Sequence, residues 1–116
     1  MDTILDMCKA LADRNRLRVF GLLSQRGELC ACQLVELLDV AGPTLSRHMG
    51  RLLDSGLVRS RRQGRWVFYR VAEDLTVPEP FLHWVGSTLS QDTSFMKDLE
   101  KMDMILARRD VPSCCD

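Results

Sequence analysis

Residues 40–71 read VAGPTLSRHMGRLLDSGLVRSRRQGRWVFYRV, and the first half of this stretch has the spacing of an amphipathic helix. Its apolar side chains recur every three or four residues, which places them on one helical face. They are Leu45, Met49, Leu52 and Leu53. Pro43 suits the first turn of a helix, and Gly56 suits the position after the last turn. The pattern therefore predicts a helix over 43–56 with a polar outer face.

The second half of the same stretch alternates between apolar and polar residues, which is the period of a β-strand. The letters RQGR at 62–65 are typical of a turn. We therefore expect a hairpin with strands over 57–62 and 66–71. The alternation predicts one face made of Val58, Ser60, Trp66, Phe68 and Arg70, and an opposite face made of Val67, Tyr69 and Val71.

The rest of the chain has a helical period. Residues 4–24 predict two helices with a break at 12–15, and CACQLVELLD at 30–39 predicts a third helix with three buried leucines. Prolines at 78 and 80 restart the chain before two further helices over 79–91 and 94–108. The last helix is expected to bury a stripe formed by Phe95, Leu99, Met102 and Leu106. The N-terminal pair is expected to bury Leu5, Cys8, Leu11, Ala12, Leu17, Phe20 and Leu23.

The size and composition are those of one globular domain. The chain has 116 residues, of which 46% are hydrophobic and 28% charged. It contains no apolar run long enough to span a bilayer, and we expect neither an export signal nor a membrane partner. The five cysteines are an odd number without the spacing of a disulfide framework, so we expect reduced thiols in a cytoplasmic protein.

The charge is concentrated in the middle of the chain although the formal net charge is zero. Residues 43–71 carry seven arginines and a single acid, Asp54. Residues 1–42 have a net charge of −1, and residues 72–116 have a net charge of −5. A merely solvated face usually mixes both signs, so the basic third indicates a surface that binds an anion such as DNA.

Two helices joined by a tight turn and followed by a basic hairpin indicate a winged helix-turn-helix. The fold class we expect is mainly α with a small β-hairpin wing, in a domain over 1–110, with a flexible cysteine-containing tail over 111–116. A small helical bundle is the alternative for the helix pair alone. The candidate contacts to double-stranded DNA, on the second helix and the wing, are Thr44, Ser46, Arg47, His48, Arg51, Arg61, Arg62 and Arg65.

The segment from about 5 to 71 closely resembles the ArsR/SmtB family of metal-responsive repressors, and among them the arsenical-resistance operon repressors. The resemblance is carried by ELCACQL at 28–34, by SRHM and SGLV around the second helix, and by the wing RRQGRWVFYRV at 61–71. It implies a homodimer, held together by its terminal helices, that binds its own operator DNA and leaves when a toxic metal or metalloid binds. The operator would be an imperfect inverted repeat.

Cys30 and Cys32 occupy the thiol positions of that motif. Because a helix turns by about 100° per residue, two regularly helical thiols at this spacing would point roughly 200° apart. They are then either ordinary small apolar residues or part of a segment that distorts on binding. The resemblance implies that they bind trivalent arsenic or antimony, with cadmium or lead as the alternative, and no organic cofactor. Both thiols could converge on one ion if the first turn unwound.

A third thiol of the family motif is absent, since Val35 stands where many arsenic repressors have cysteine. The candidate donors elsewhere are Cys114 and Cys115 in the tail, which complete the expected metal set with Cys30 and Cys32. Cys8 resembles a donor of the cadmium sensors, but we expect it to be a core residue. His83 alone does not match the family's other metal site, which disfavours a zinc or nickel sensor.

Two other classes of function are compatible with parts of the pattern. A redox or arsenate-reducing enzyme could use a reactive thiol pair, but the sequence has no C-x-x-C motif and no oxyanion-binding loop. A constitutive DNA-binding protein would need the basic segment but not the thiols. We therefore expect a transcriptional repressor and not an enzyme.

Overall fold

The structure, a computed structural model, describes residues 2–73 and 79–108. Within them the helices are α1 (Asp2–Leu11), α2 (Arg14–Arg26), α3 (Ala31–Leu38), α4 (Gly42–Asp54), α5 (Glu79–Ser90) and α6 (Thr93–Ala107). The strands are β1 (Leu29–Cys30), β2 (Val58–Gln63) and β3 (Trp66–Val71). Mainly helical architecture with a β-hairpin is confirmed. The bounds of α1, α2 and α4–α6 lie within a few residues of the predicted ones, and β1 is an element that the sequence analysis did not predict.

The corner between α1 and α2 is held by polar contacts. The side chain of Asp13 caps α2 by accepting hydrogen bonds from the backbone N–H groups of Asn15 at 2.9 Å and Arg16 at 3.1 Å. Arg16 in turn donates from Nε to the carbonyl of Ala10 at 2.6 Å, and so occupies an acceptor at the end of α1. The predicted break at 12–15 is therefore a capped helix boundary.

Helices α3 and α4 form the helix-turn-helix. α3 ends at Leu38 and is followed by Asp39, whose left-handed backbone (φ 56°) redirects the chain; α4 begins at Gly42 with Pro43 in its first turn. The glycine of the predicted turn thus lies inside the helix, and the left-handed position is taken by an aspartate, one of the non-glycine residues that tolerate it best. The inner faces of the two helices share one apolar core, in which Leu34, Leu37, Leu45, Met49 and Leu52 are buried.

The three strands form an antiparallel sheet in the order β1-β3-β2. Val58 lies opposite Val71, and Ser60 opposite Tyr69, so these residues share the face that packs on the core. The predicted face assignment for Val58 and Ser60 is therefore wrong. The opposite face carries Arg61 across from Phe68, and Cys30 lies on the other side of Phe68.

Helix α6 packs against its own chain. Its buried stripe is Phe95, Leu99, Met102 and Ile105, whereas Leu106 is 39% exposed, so the predicted stripe is correct except for its last member. α2 allows the close approach because a Cβ on Gly21 would lie 2.7 Å from atoms of Leu89 and Phe95. Arg18 and Asp98 join α2 to α6 through a 2.7 Å ion pair.

Three other predicted core positions lie at the surface: Leu5, Cys8 and Ala12 are exposed. They lie on or just after α1, whose buried residues are Met7 and Ala10. Among the helices of residues 2–73 and 79–108, none has both the length and the apolar character that a membrane crossing requires. The predicted tail 111–116, with Cys114 and Cys115, lies outside the described residues.

Candidate DNA interface and thiol site

The outer face of α4 is polar, exposed and basic. Ser46, Arg47 and Arg51 are exposed, and Thr44 is half-buried near the start of the helix. The opposite face is anchored by Met49 and Leu52, which are fully buried. A helix fixed in this way presents its N-terminal half to the major groove in a helix-turn-helix protein, where hydroxyl and guanidinium groups can reach phosphates and base edges.

His48 lies on α4 but is turned toward the corner of α1 and α2. Its side chain is only 14% exposed, with Nδ1 3.9 Å from Oδ1 of Asp13 and 3.5 Å from Nη1 of Arg16. Partial burial of Asp13 opposes its ionisation, but hydrogen bonds from backbone N–H groups and the charges of His48 and Arg16 prevail and lower the pKa of Asp13. His48 therefore supports the orientation of α4, and its accessible surface for DNA is small.

The wing arginines fall into two groups. Arg62, at the end of β2, and Arg65, in the turn beside Gly64, are exposed and can contact phosphates. Arg61 has different partners, because its Nη2 lies 2.6 Å from Oε1 of Glu28. These hydrogen bonds lower the pKa of Glu28 below its usual value. The structure thus pairs Arg61, in the outer half of β2, with Glu28 of the same chain.

Cys30 and Cys32 lie where β1 passes into α3. Cys30 is the N-cap, with an extended backbone (φ −76°, ψ 145°), and its N–H donates to Oε1 of Gln33 at 2.9 Å. Cys32 lies in the first helical turn. The assumption that both thiols are helical is therefore wrong: pairing with β3 holds Cys30 outside the helix. The two side chains already share one small cluster without any unwinding of α3.

The thiol cluster has an aromatic wall. Trp66 and Phe68 of β3 pack against the two cysteines and stack on each other, with ring centroids 5.9 Å apart. Cys30 is 1% exposed and Cys32 is 6% exposed. The thiol pair is thus covered by the outer face of the sheet, on the opposite side of β3 from the core.

The donor set fits a soft ion in part. Two cysteine sulfurs suit a thiophilic metal or metalloid, which prefers thiolates to oxygen ligands. Within residues 2–73 and 79–108, no group of three or more cysteine, histidine or acidic side chains is arranged to hold a metal ion. Cys8 is exposed on α1, and the position of Val35 supplies no donor. In this structure Cys32 is disulfide-bonded, which differs from the reduced thiols expected from the sequence. After reduction the described residues offer two soft donors, and any third must come from elsewhere.

Known proteins resemble this chain over both the helix-turn-helix and its full length. The family model "Bacterial regulatory protein, arsR family" matches residues 13–60. The arsenical resistance operon repressor of Escherichia coli (strain K12) is 47% identical over 68 residues, which are 59% of this chain and 58% of that repressor. The arsenic resistance transcriptional regulator ArsR2 of Pseudomonas putida is 35% identical over 119 aligned positions, covering 99% of this chain and 100% of that regulator.

This chain belongs to the ArsR family. Its fold agrees with that of the homodimeric winged helix-turn-helix DNA-binding domain Mb0332 from Mycobacterium bovis, a possible ArsR-family transcriptional regulator. The two are 28% identical with a TM-score of 0.62, over 77% of each chain. These relatives are transcriptional regulators and not enzymes, which confirms the class of function and the winged helix-turn-helix fold inferred from the sequence.

The end of α6 lies against α3 in this ArsR-family chain. Nζ of Lys101 donates to the carbonyl of Leu37 at 3.0 Å, and the guanidinium of Arg108 forms an ion pair with Glu36. Glu36 lies one turn after Cys32 on the same helix. These contacts place Arg108, the last residue that the structure describes, beside the helix that begins after Cys30 and carries Cys32.

Sequence reasoning missed the residues that surround the thiols. Glu28, Trp66 and Phe68 were not among the candidate site residues, although their positions follow from the register Cys30 opposite Phe68. The alternation of WVFYRV contains the signal that Trp66 and Phe68 share a face. The neighbour of that face is β1, and a strand of two residues is too short to show an alternation in the sequence.

Proposed function

We propose that this ArsR-family protein is a repressor that binds operator DNA as a homodimer and is released when trivalent arsenic or antimony binds thiolates. One observation carries the proposal: the buried pair Cys30 and Cys32 lies at the start of α3, and α3 packs directly against α4, the helix with the exposed polar face. A change at the thiols therefore acts on the support of the DNA-reading helix. Because its target is DNA, we place the protein in the cytoplasm.

The DNA contacts divide by position. Thr44, Ser46, Arg47 and Arg51 on α4 are proposed to enter the major groove, and Arg62 and Arg65 to bind phosphates. His48 contributes by orienting α4 against Asp13, since its ring is largely covered. The basic segment makes the affinity depend on salt, because each neutralised phosphate releases counterions.

The homodimer is supported by apolar side chains that one chain leaves exposed. Ile4 and Leu5 of α1 are 66% and 47% exposed, and Met104 and Leu106 of α6 are 73% and 39% exposed. Side chains of this kind are buried when a second copy packs on them. Since a two-fold dimer presents two copies of α4 about one DNA turn apart, the operator is expected to be an imperfect inverted repeat.

Cys30 and Cys32 supply two thiolates, and the tail can supply a third. Arg108 is held at Glu36, which lies four residues, or about 6 Å along the helix, from Cys32. Cys114 follows Arg108 by six residues, which can span about 20 Å when extended. A thiol of Cys114 or Cys115 is therefore within reach of the pair. The bound metalloid would supply bonds to sulfur that hold these thiolates together, and the cysteines would release their protons on binding.

A release titration tests the proposal. Reduced protein on DNA of its own promoter is titrated with arsenite, antimonite, cadmium and zinc, and bound DNA is followed by fluorescence anisotropy. We expect release by arsenite or antimonite and none by zinc. Release by cadmium alone would favour the cadmium-type sensor, and DNA binding that no ion alters would favour a constitutive DNA-binding protein.

Cysteine variants identify the donors in the same titration. Cys8→Ser is the matched control, because that thiol is exposed on α1. This variant should leave the DNA at the same metalloid concentrations as the parent protein. Cys114→Ser/Cys115→Ser should require more metalloid for release. If Cys8→Ser alone abolished release, the proposed donor set would be wrong.

A further inference from the structure

A row of side chains crosses the outer face of the sheet from the thiol pair to the wing. Cys30 of β1 lies opposite Phe68 of β3, and Phe68 lies opposite Arg61 of β2. Residues directly opposite in neighbouring antiparallel strands point to the same face. The ring of Phe68 thus lies between the thiol of Cys30 and the guanidinium of Arg61 on β2.

Arg61 makes two kinds of contact: one with the ring of Phe68 and one with polar side chains. Its guanidinium carbon lies 4.4 Å from the centroid of the Phe68 ring, a cation–π distance. Its Nε donates to Glu28 at 2.9 Å and its Nη2 at 2.6 Å, so the two side chains form a bidentate pair. Its Nη1 donates to Oε1 of Gln63 at 3.0 Å. We call Glu28, Arg61 and Phe68 the wing clamp.

Glu28 connects the wing clamp to the thiols a second time, through the backbone. It lies two residues before Cys30 and directly precedes β1, the strand that leads into α3. Arg61 therefore touches the thiol site through the ring of Phe68 and through the carboxylate of Glu28. The neighbouring Arg62 lies on the opposite face of β2, across from Val67, and belongs to neither contact.

We propose that Arg61 and Glu28 are positioning residues that couple the occupation of the thiol pair to the position of the wing. The inference rests on the proposed function and adds to it a second route, independent of α3, from the thiols to the DNA-binding surface. It assigns Arg61 to signal transmission and not to direct DNA contact.

The packing explains why binding at the thiols would reach the wing. Both cysteines are buried against Trp66 and Phe68, so a bound ion can enter only if the sulfurs or the rings move. Movement of Phe68 removes the surface on which Arg61 rests, and movement of β1 pulls on Glu28. Because the bidentate pair holds β2 to β1, the hairpin moves with the thiol site instead of remaining in its DNA-binding position.

The test measures the coupling ratio, which is the operator affinity without arsenite divided by the affinity with saturating arsenite. Arg61→Met keeps most of the stem but removes the cation, and Glu28→Gln breaks the same pair from the other side. Arg62→Met is the matched control, with the same charge change on the next residue. Circular dichroism melting of each variant verifies folding, and arsenite affinity is measured separately without DNA.

We expect Arg61→Met and Glu28→Gln each to lower the coupling ratio by about threefold to tenfold. Arsenite affinity without DNA should change less than the ratio. The double variant should lower the ratio no more than either single variant, because both changes break one pair. Arg62→Met should weaken operator binding with and without arsenite alike, which leaves the ratio unchanged.

The outcomes separate this inference from the proposed function. If arsenite releases the parent protein but Arg61→Met, Glu28→Gln and their double variant all keep its coupling ratio, the wing clamp plays no part and only this inference is wrong. The same holds if Arg62→Met lowers the ratio as much as Arg61→Met, since net charge would then explain both. If the parent protein is not released by any metalloid, the proposed function is wrong and this inference is overturned with it.

Discussion

Helices α3 and α4 are neighbours in the helix-turn-helix, but their first turns lie in different surroundings. Cys30 caps α3 and Cys32 lies in its first turn; both are buried under the outer face of the sheet, and strand pairing ties Cys30 to β3. α4 begins at Gly42 and Pro43, which are exposed, and continues with exposed Ser46 and Arg47.

In the proposed function, this difference assigns DNA binding to the start of α4 and metalloid binding to the start of α3. The start of α4 has no covering element among the described residues and is available to DNA, whereas the start of α3 is covered and can respond only if its surroundings move. The bodies of the two helices share a core that contains Leu34, Leu45 and Met49. In the proposed function, that core would link the thiol site to the polar face of α4.

The largest expected effect comes from breaking the shared core. Met49→Ala removes a fully buried side chain from the inner face of α4, and we expect the free energy of unfolding to fall by about 2–5 kcal/mol. Urea unfolding measures it. The matched control is Arg47→Ala on the outer face of the same helix, which should change stability by less than about 0.5 kcal/mol. Equal losses for the two variants would contradict the assignment of faces.

A second test distinguishes reading from phosphate binding. Arg47→Ala should cost about 1–3 kcal/mol of operator binding and relax the sequence preference, because the side chain lies on the exposed face of α4. Arg62→Ala in the wing should weaken binding to all sequences alike and reduce the slope of affinity against salt by about one. Binding measured against operator and scrambled DNA, at several salt concentrations, checks both. Identical behaviour of the two variants would show that the division is wrong.

A smaller effect is expected at the corner that supports α4. Asp13→Ala removes the cap of α2, and its loss should cost about 1 kcal/mol of stability. The pKa of Asp13 is lowered from 3.8, so the charge of this residue stabilises the folded protein above that pH, and the gain disappears as the pH falls through the lowered value. Asp13→Asn is the control, since it can cap but has no charge.

Unfolding measured from pH 7 to pH 2 separates the two contributions of Asp13. The alanine variant should be less stable than the parent across the neutral range, and its deficit should shrink in acid. The asparagine variant should keep most of the cap and lose only the part that depends on pH. A deficit of the alanine variant that grows in acid would contradict the lowered pKa of Asp13.

Local patterns were sufficient to predict α4 and the hairpin, because both have a clear period and turn residues at their ends. The face of β2 was mispredicted because it depends on the register between the two strands, in which Val58 lies opposite Val71. The alternation within each strand does not determine that register. On α6 the spacing after Met102 allows either Ile105 or Leu106, and only the packing against the core selects Ile105.

The thiol site shows where sequence reasoning stops. The residue types and spacing of Cys30 and Cys32 were enough to predict the pair as a site, but not its geometry. β1 has two residues and exists because of a partner strand far along the chain: its first residue, Leu29, lies opposite Tyr69, 40 positions later. This long-range pairing keeps Cys30 out of the helix, and it cannot be predicted from the periodicity of the neighbouring residues.

The most direct test of the central claim is arsenite release of the Cys30→Ser/Cys32→Ser double variant from operator DNA. Neither residue lies on the exposed face of α4, so we expect the variant to bind operator DNA nearly as tightly as the parent protein. It should then remain bound at every arsenite concentration that releases the parent. If the double variant leaves the DNA at the same arsenite concentrations as the parent protein, the thiols at the start of α3 do not control DNA binding, and the account is wrong.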